Sequence, residues 1–167
     1  MFKILISKKI KLLFKKKNML RTKLLFTIFI LIATLGFTAR VTKSDDIVGT
    51  WLTSSTNSKI IIFKTGNYFY GKISWLRNEL NEQGKIKVDD KNPDTALRSR
   101  HILGLLLLKG FEYDEKNNEW VNGEIYDPKS GKTYSCKMKL TNNNTLEVHG
   151  FIGISLIGKT EIWTRSE

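Results

Sequence analysis

The stretch 132-KTYSCKMKLTNNN-144 decides the fold class, because apolar and polar residues alternate along it until three asparagines end it. One face carries Tyr134, Cys136, Met138 and Leu140, and the other carries Ser135, Lys137 and Lys139. A repeat of two residues is that of a β-strand, whose successive side chains point to opposite sides of the sheet. The stretch therefore predicts a strand with one buried and one solvated face.

Turn signals bound this strand on both sides, and the same pattern recurs along most of the chain. The residues 127-DPKSG-131 precede it and 142-NNN-144 follow it. Seven further strands are predicted at 47–53, 59–64, 68–76, 105–113, 120–126, 145–152 and 159–165. A polar segment at 77–100 interrupts the series, and no long segment has the 3.6-residue period of a helix.

Eight strands joined mostly by short hairpins favour an all-β domain folded as an eight-stranded antiparallel up-and-down barrel. A two-sheet sandwich is the alternative that the same strands allow. Closure into a barrel would leave no free strand edge, which suits an exported protein with hydrophobic strands.

The predicted inner faces carry bulky side chains. The third strand places Phe69, Gly71, Ile73 and Trp75 on one face, and the seventh turns Leu146, Val148 and Ile152 inward. The residues expected to fill the interior of so short a barrel are Phe69, Trp75, Phe111, Tyr134, Met138 and Ile162.

Positive charge is concentrated in the first quarter of the chain. Residues 1–43 carry 11 of the 28 Lys and Arg and no acidic residue, whereas residues 44–167 carry the other 17 against all 16 Asp and Glu. Because that body lacks the basic patch that phosphate neutralisation requires, we expect no nucleic-acid partner. A hydrophobic content of 41% with two Pro and one Cys also excludes collagen-like, disordered and disulfide-rich classes.

The N-terminal segment has the layout of an export signal. The uncharged run 24-LLFTIFILIATL-35 follows a basic segment and precedes small residues, which is the pattern of a secretory signal peptide. The run is shorter than the roughly 20 residues that span a bilayer as a helix. We therefore predict an export segment at 1–39, with Met19 as an alternative start and cleavage between Gly36 and Lys43. Residues 40–167 would then form one barrel domain in the periplasm or at the envelope, and only the signal segment would contact the membrane.

Two motifs at the ends of the predicted barrel resemble those of lipocalin-type barrels. Gly49-Thr50-Trp51 opens the first strand, and Thr164-Arg165 closes the last. In lipocalin-type barrels a G-x-W places its indole across the closed end, and an Arg from the final strand packs over it as a cation–π pair. The resemblance implies that Trp51 and Arg165 form a barrel-closing pair. The alternative is a core tryptophan and a solvated arginine.

From residue 46 onward the chain resembles one bacterial family more closely. The motifs are DDIVGTW, GKISWL, NPDTALRSR followed by HILGLLLLKGF, GEIYDPKSGKTYSCKMKL and TLEVHGFIGISLIGKTEIWTR. In this order they are similar to the exported family known as domain of unknown function 2147 (DUF2147). The resemblance implies a small exported protein with a lipocalin-like barrel, and it implies no activity.

Residues suited to catalysis are sparse. His101 and His149 fall on different elements, and Cys136 is predicted to face the core, away from either histidine. A nucleophilic site needs a Ser or Cys beside a histidine that a carboxylate orients. Zinc takes three or four His or Cys ligands, and this chain has three such residues scattered singly. We therefore predict a protein that is not an enzyme and has neither a metal site nor a cofactor.

The polar segment contains the one stretch that resembles a binding site, 92-NPDTALRSRH-101. Asp94 is placed to cap a short helix, which would bring Arg98 and Arg100 to a barrel mouth. Two arginines beside an apolar barrel could hold the carboxylate or phosphate of an amphipathic ligand. The alternative is that Asp94 and both arginines simply hold the longest loop in place.

Two functions from different classes follow. In the first, the protein is a periplasmic, lipocalin-like binder of a small hydrophobic or amphipathic molecule, because an eight-stranded barrel can hold one small ligand. In the second, the barrel is filled, takes no ligand and acts through its surface as an envelope-associated interaction or structural protein. The volume inside the barrel distinguishes the two.

Overall fold

Strand pairing in the computed structural model, which describes residues 43–166, closes a barrel in the order β1-β2-β3-β4-β5-β6-β7-β8. The strands are β1 Gly49–Leu52, β2 Ser58–Thr65, β3 Tyr68–Leu76, β4 Leu106–Asp114, β5 Glu119–Asp127, β6 Lys132–Asn142, β7 Thr145–Phe151 and β8 Gly158–Ser166. All neighbours are antiparallel, and β1 pairs with β8 to complete the ring. The predicted all-β up-and-down barrel is confirmed, and the sandwich alternative is wrong. The predicted export segment at 1–39, including Met19, lies outside the described residues.

The two ends of the barrel differ in what covers them. Because consecutive strands run in opposite directions, alternate connections lie at the same end. The short turns β2–β3, β4–β5 and β6–β7 share one end with the 3₁₀ helix Lys43–Ile47, and we call this the helix end. The opposite end, here the loop end, carries the connections 53–57, 77–105, 128–131 and 152–157. Within residues 43–166, no helix has the length and apolar character needed to cross a membrane.

The part of the barrel interior near the helix end is packed with large side chains. Its five largest members are buried to 1% exposure or less: Trp51, Trp120, Trp163, Phe69 and Phe111. Inward glycines make room for their neighbours, since a Cβ on Gly123 would lie 2.3 Å from the Phe111 ring and one on Gly71 would lie 2.8 Å from Leu108 Cδ1. Interdigitation of this kind is the normal packing of a protein interior. The interior near the helix end is therefore filled.

A bulge in β3 overturns one predicted interior residue. Ile73 pairs with Ile60 and Trp75 pairs with Lys59, so one extra residue of β3 lies between two consecutive positions of β2. A bulge of this type reverses the inward and outward alternation beyond it. Trp75 is consequently 38% exposed and does not fill the barrel as predicted.

The prediction of inward-facing residues is also wrong in β8 and just after β7. Ile162 is 44% exposed, whereas Trp163 is buried, because Trp163 has the same strand parity as Arg165 and both face inward. Ile152 is 68% exposed, since β7 ends at the preceding residue. Tyr134 is half-buried, and Phe69, Phe111 and Met138 are buried as predicted.

Candidate functional site

At the helix end, Arg165 lies over the Trp51 ring, with its guanidinium carbon 4.3 Å from the ring centroid. The guanidinium also donates hydrogen bonds to three backbone carbonyls, those of Val48 (3.1 Å), Asn143 (2.7 Å) and Asp46. Trp51 donates from Nε1 to the carbonyl of Ile47 at 2.8 Å. The two residues that the lipocalin resemblance pairs are thus in contact, and they join the first strand of the barrel to the last.

At the loop end, a buried carboxylate holds the long connection 77–105 in place. Asp89 is fully buried and accepts three hydrogen bonds, from Tyr126 Oη (2.6 Å), Asn92 Nδ2 (2.7 Å) and Arg100 Nη2 (2.9 Å). Among the described residues, no buried side-chain nitrogen or oxygen lacks a hydrogen-bond partner. A buried charge is tolerated when donors satisfy it in this way. We call Asp89, Asn92, Arg100 and Tyr126 the loop anchor.

The loop anchor shifts the pKa of two of its members in opposite directions. Burial alone would raise the pKa of Asp89, but the hydrogen bonds from Tyr126, Asn92 and Arg100 outweigh it and lower the pKa below its ordinary value of 3.8. Burial, together with the adjacent Asp89 carboxylate, raises the pKa of Tyr126 to about 12. At neutral pH the carboxylate is therefore charged and the phenol remains a hydrogen-bond donor.

The long connection packs on the outer side of β5. Tyr126 pairs with the exposed Thr133, which places it on the outer face of the barrel, yet it is only 8% exposed because the loop anchor covers it. Gly131, in the β5–β6 turn, has a φ of +72°, and a Cβ there would lie 1.9 Å from the carbonyl oxygen of Lys91. Only glycine fits both that backbone conformation and that contact.

Asp94, Arg98 and Arg100, the residues proposed for ligand binding, all lie in this connection. Asp94 Oδ1 accepts from the backbone N–H of Ala96 at 3.0 Å and caps the short 3₁₀ helix Thr95–Leu97. Arg98 Nε donates to the carbonyl of Asn92 at 2.7 Å, and Arg100 binds Asp89. The structure gives each arginine one hydrogen bond that stabilises the connection, and through Asp89 it links Arg100 to Tyr126 on the outer side of β5.

The inner face of the barrel near the loop end is less tightly packed than the interior near the helix end. Ile125 pairs with both the buried Leu108 and Tyr134, so all three share the inner face. Ile125 and Tyr134 are only half-buried. Gly150 faces them from β7, and a Cβ there would lie 3.4 Å from Ile125 Cγ2, at ordinary contact distance. On the side of β4, β5 and β6 this part of the lumen is apolar, and it carries no side chain at position 150.

An ion pair borders the same region. Glu161 and Lys159 have the strand parity of the inward Trp163, and Lys159 Nζ lies 2.9 Å from Glu161 Oε1. Trp163 Nε1 donates to Glu161 Oε2 at 3.4 Å. Burial would raise the pKa of Glu161, but hydrogen bonds from Lys159 and Trp163 outweigh it and lower that pKa. The inner face of β8 therefore changes from apolar to ionic towards the loop end.

The described residues offer little to catalysis. Cys136 is buried, and burial raises the pKa of its thiol to about 12, so the nucleophilic thiolate is scarce at neutral pH. Within residues 43–166, no group of three His, Cys, Asp or Glu side chains could hold a metal ion.

Sequence reasoning did not identify Asp89 or Tyr126 as partners at this site. Asp89 lies beside Asp90 in a polar run, and nothing in the sequence distinguishes the fully buried acid from its exposed neighbour. Tyr126 ends the strand predicted at 120–126, just before the turn signal 127-DPKSG-131, and nothing local marks it as the partner of an acid. Only the hydrogen bond between Tyr126 and Asp89 reveals that the two are partners, and it joins residues 37 positions apart in the sequence.

The closed eight-stranded barrel, its short N-terminal 3₁₀ helix and the Trp51–Arg165 contact define a lipocalin-like protein. Protein HP1028 from the human pathogen Helicobacter pylori, which belongs to the lipocalin family, has a similar structure with a TM-score of 0.62. The two sequences are 24% identical, and the match covers 72% of this chain and 83% of that one. The comparison with curated proteins gives no match. Residues 49–165 match the family described as uncharacterized protein conserved in bacteria (DUF2147), and the chain belongs to that family.

Proposed function

We propose that this protein binds a small hydrophobic or amphipathic molecule and acts by binding, without catalysing a reaction. One observation carries the proposal: Ile125 and Tyr134 face into the barrel at the loop end but are only half-buried. They lie above a floor of fully buried aromatic side chains. A partly covered apolar surface inside a barrel is the usual lining of a small-molecule site. The ligand would therefore sit in the upper part of the lumen.

Two arginines of the connection 77–105 support an amphipathic ligand. A guanidinium has five N–H donors, and the side chains of Arg98 and Arg100 each make one hydrogen bond to the loop. Their remaining donors suit a carboxylate or phosphate headgroup, with Asp94 fixing the short helix that positions them. The apolar tail would then contact Ile125 and Tyr134.

We also propose that the protein is exported and works in the periplasm or at the envelope. The support is the basic segment followed by the apolar run at 24–35. The single cysteine of the chain is Cys136, so the barrel needs no disulfide to close and is held by its strand pairing.

The alternative, a filled barrel that acts through its surface, is favoured by a different observation. The Phe111 ring occupies the space above Gly123, and Leu108 occupies the space above Gly71. These contacts fill the deep lumen. The two functions therefore differ only in whether the space beside Gly150 accepts a ligand.

Titration with a fluorescent fatty-acid analogue tests the proposal. Gly150→Phe would place a ring in the upper lumen, whereas Ser135→Phe would place the same ring on the outer face of the neighbouring strand β6. We expect the natural protein and Ser135→Phe to bind the analogue with similar affinity, and Gly150→Phe to bind at least tenfold more weakly. Equal binding by both variants, with thermal melts that show both folded, would contradict a site in the lumen.

A further inference from the structure

The connection 152–157 exposes an unusual amount of apolar surface. Its hydrophobic side chains are all more than half exposed: Ile152 68%, Ile154 61%, Leu156 89% and Ile157 68%. We call residues 152–157 the apolar loop. An exposed cluster of this kind marks an interaction surface more often than an accident of packing.

Hydrogen bonds preorganise the apolar loop with its side chains outward. Ile152 N–H donates to the carbonyl of Ile157 at 3.4 Å, and Ile157 N–H donates to that of Ile154 at 3.1 Å. His149 Nε2 lies 2.8 Å from the carbonyl of Ser155, and because a carbonyl only accepts, the ring donates. The loop therefore has a fixed shape.

Glycine positions add to this constraint. Gly153 has a φ of +70°, which side-chain-bearing residues rarely adopt. At the base of the loop, a Cβ on Gly158 would lie 2.4 Å from the carbonyl oxygen of Gly150. The two flanking strands thus approach closely, and the apolar side chains extend away from the barrel.

The loop end that carries the apolar loop has a small excess of positive charge. The four loop-end connections carry seven Lys and Arg against five Asp and Glu, whereas residues 43–48 and the three helix-end turns carry two against three. The side chain of Lys159, two residues beyond the loop, is 81% exposed and pairs with Glu161 at 2.9 Å. An apolar tip on an end that carries more cations than anions complements an anionic lipid surface, where both features contribute to binding.

The residue types argue for lipid over a protein partner. Binding hot spots of protein interfaces are enriched in Trp, Tyr and Arg and poor in Leu. The apolar loop contains only Ile, Leu, Gly and Ser, and its most exposed side chain is Leu156. A convex tip of aliphatic side chains matches a deformable acyl phase better than a rigid pocket.

We propose that the apolar loop inserts into the acyl boundary of an anionic bilayer and docks the loop end of the barrel on the membrane. This docking is additional to any role of the N-terminal segment, and it does not require a ligand in the barrel. If the barrel also binds an amphipathic molecule, the membrane is the source from which that molecule would enter.

A fluorescent label tests the insertion directly in the full chain. Leu156→Cys carries an environment-sensitive maleimide dye at the tip, and Ile162→Cys carries it on the outer wall of β8 as the matched control. Cys136 is buried with a pKa raised to about 12, so the dye selects the introduced thiol. Each dye reports only the environment of its own site, so contact between residues 1–42 and the vesicle does not by itself change the signal at position 156.

With vesicles of phosphatidylglycerol and phosphatidylcholine, we expect the dye at position 156 to shift blue, brighten severalfold and be quenched by brominated acyl chains. The dye at 162 should stay unchanged, and pure phosphatidylcholine should give a smaller response at 156. No change at 156, or equal changes at both sites, would overturn the proposal. A blue shift at 156 that follows protein concentration without vesicles would assign the loop to a second copy of this chain and overturn it as well.

Discussion

Arg165 and Trp51 are direct cross-strand partners in β8 and β1, and the guanidinium lies over the indole at 4.3 Å. The contact therefore joins the first strand to the last at the seam where the barrel closes. The same guanidinium binds the carbonyls of Val48 and Asn143, which belong to the segment before β1 and the β6–β7 turn. One side chain thus stabilises closure through three separate parts of the chain.

Arg165→Ala should lower the free energy of unfolding by about 2–3 kcal/mol, because it removes a cation–π contact and three hydrogen bonds to backbone carbonyls. Arg165→Lys keeps the charge but not the planar fork, so its loss should be intermediate. Urea unfolding followed by tryptophan fluorescence measures both. A loss below about 0.5 kcal/mol for Arg165→Ala, the usual range of a surface substitution, would show that the pair does not stabilise the seam.

The loop anchor should make stability depend on acid pH. The folded-state pKa of Asp89 is lowered, so the unfolded chain binds more protons than the folded chain between that pKa and the ordinary value of 3.8. The stabilisation is complete above the unfolded pKa and is lost as pH falls through the folded pKa. Asp89→Asn should lower the free energy of unfolding by about 2–3 kcal/mol at pH 7. In this variant the free energy of unfolding should also decrease less steeply below about pH 4 than in the natural protein.

Asp90→Asn is the control for this pH dependence, because Asp90 is the exposed neighbour of Asp89. It should leave stability at pH 7 and the acid profile nearly unchanged. Chemical denaturation at a series of pH values between 2.5 and 7 provides the measurement. Identical acid profiles for the Asp89→Asn variant and the natural protein would contradict the role given to the buried carboxylate.

Gly131→Ala should destabilise the protein more than its backbone conformation alone explains. Gly131 and Gly66 both have a positive φ, +72° and +61°, but only at Gly131 would a Cβ strike a neighbour, the carbonyl of Lys91. Gly66→Ala should cost about 1 kcal/mol of strain. Gly131→Ala should cost at least about 2 kcal/mol more, since the long connection must shift, and limited proteolysis should cleave the 77–105 connection faster. Equal costs for the two variants would show that the connection does not depend on this contact.

Arg98→Ala should weaken binding of an acidic ligand without affecting a neutral one. The expected loss is about tenfold for a fatty acid, which corresponds to one charge-assisted hydrogen bond of about 1.4 kcal/mol, and less than twofold for the matching fatty alcohol. Lys85→Ala, an exposed cation in the same connection, is the control. Competition with a fluorescent analogue measures both affinities. Equal losses for acid and alcohol would assign Arg98 to the loop alone.

The sequence predicts the strands well and the site incompletely, for physical reasons. Strand β3 was predicted at 68–76 and is observed at Tyr68–Leu76, because its alternation is local. The bulge that turns Trp75 outward depends on pairing with β2, which no local pattern records. The loop anchor is even harder to predict, because Asp89 is buried against Tyr126, which lies 37 positions away in the sequence.

The central claim is that the lumen near the loop end holds a small amphipathic molecule. Native mass spectrometry of the protein recovered from a bacterial envelope tests this claim most directly. We expect a reproducible extra mass of lipid or metabolite size, which solvent extraction removes and which the Gly150→Phe variant lacks. A clean protein mass that added fatty acids or isoprenoids do not shift would contradict the claim. That result would establish a filled barrel and direct attention to its surface.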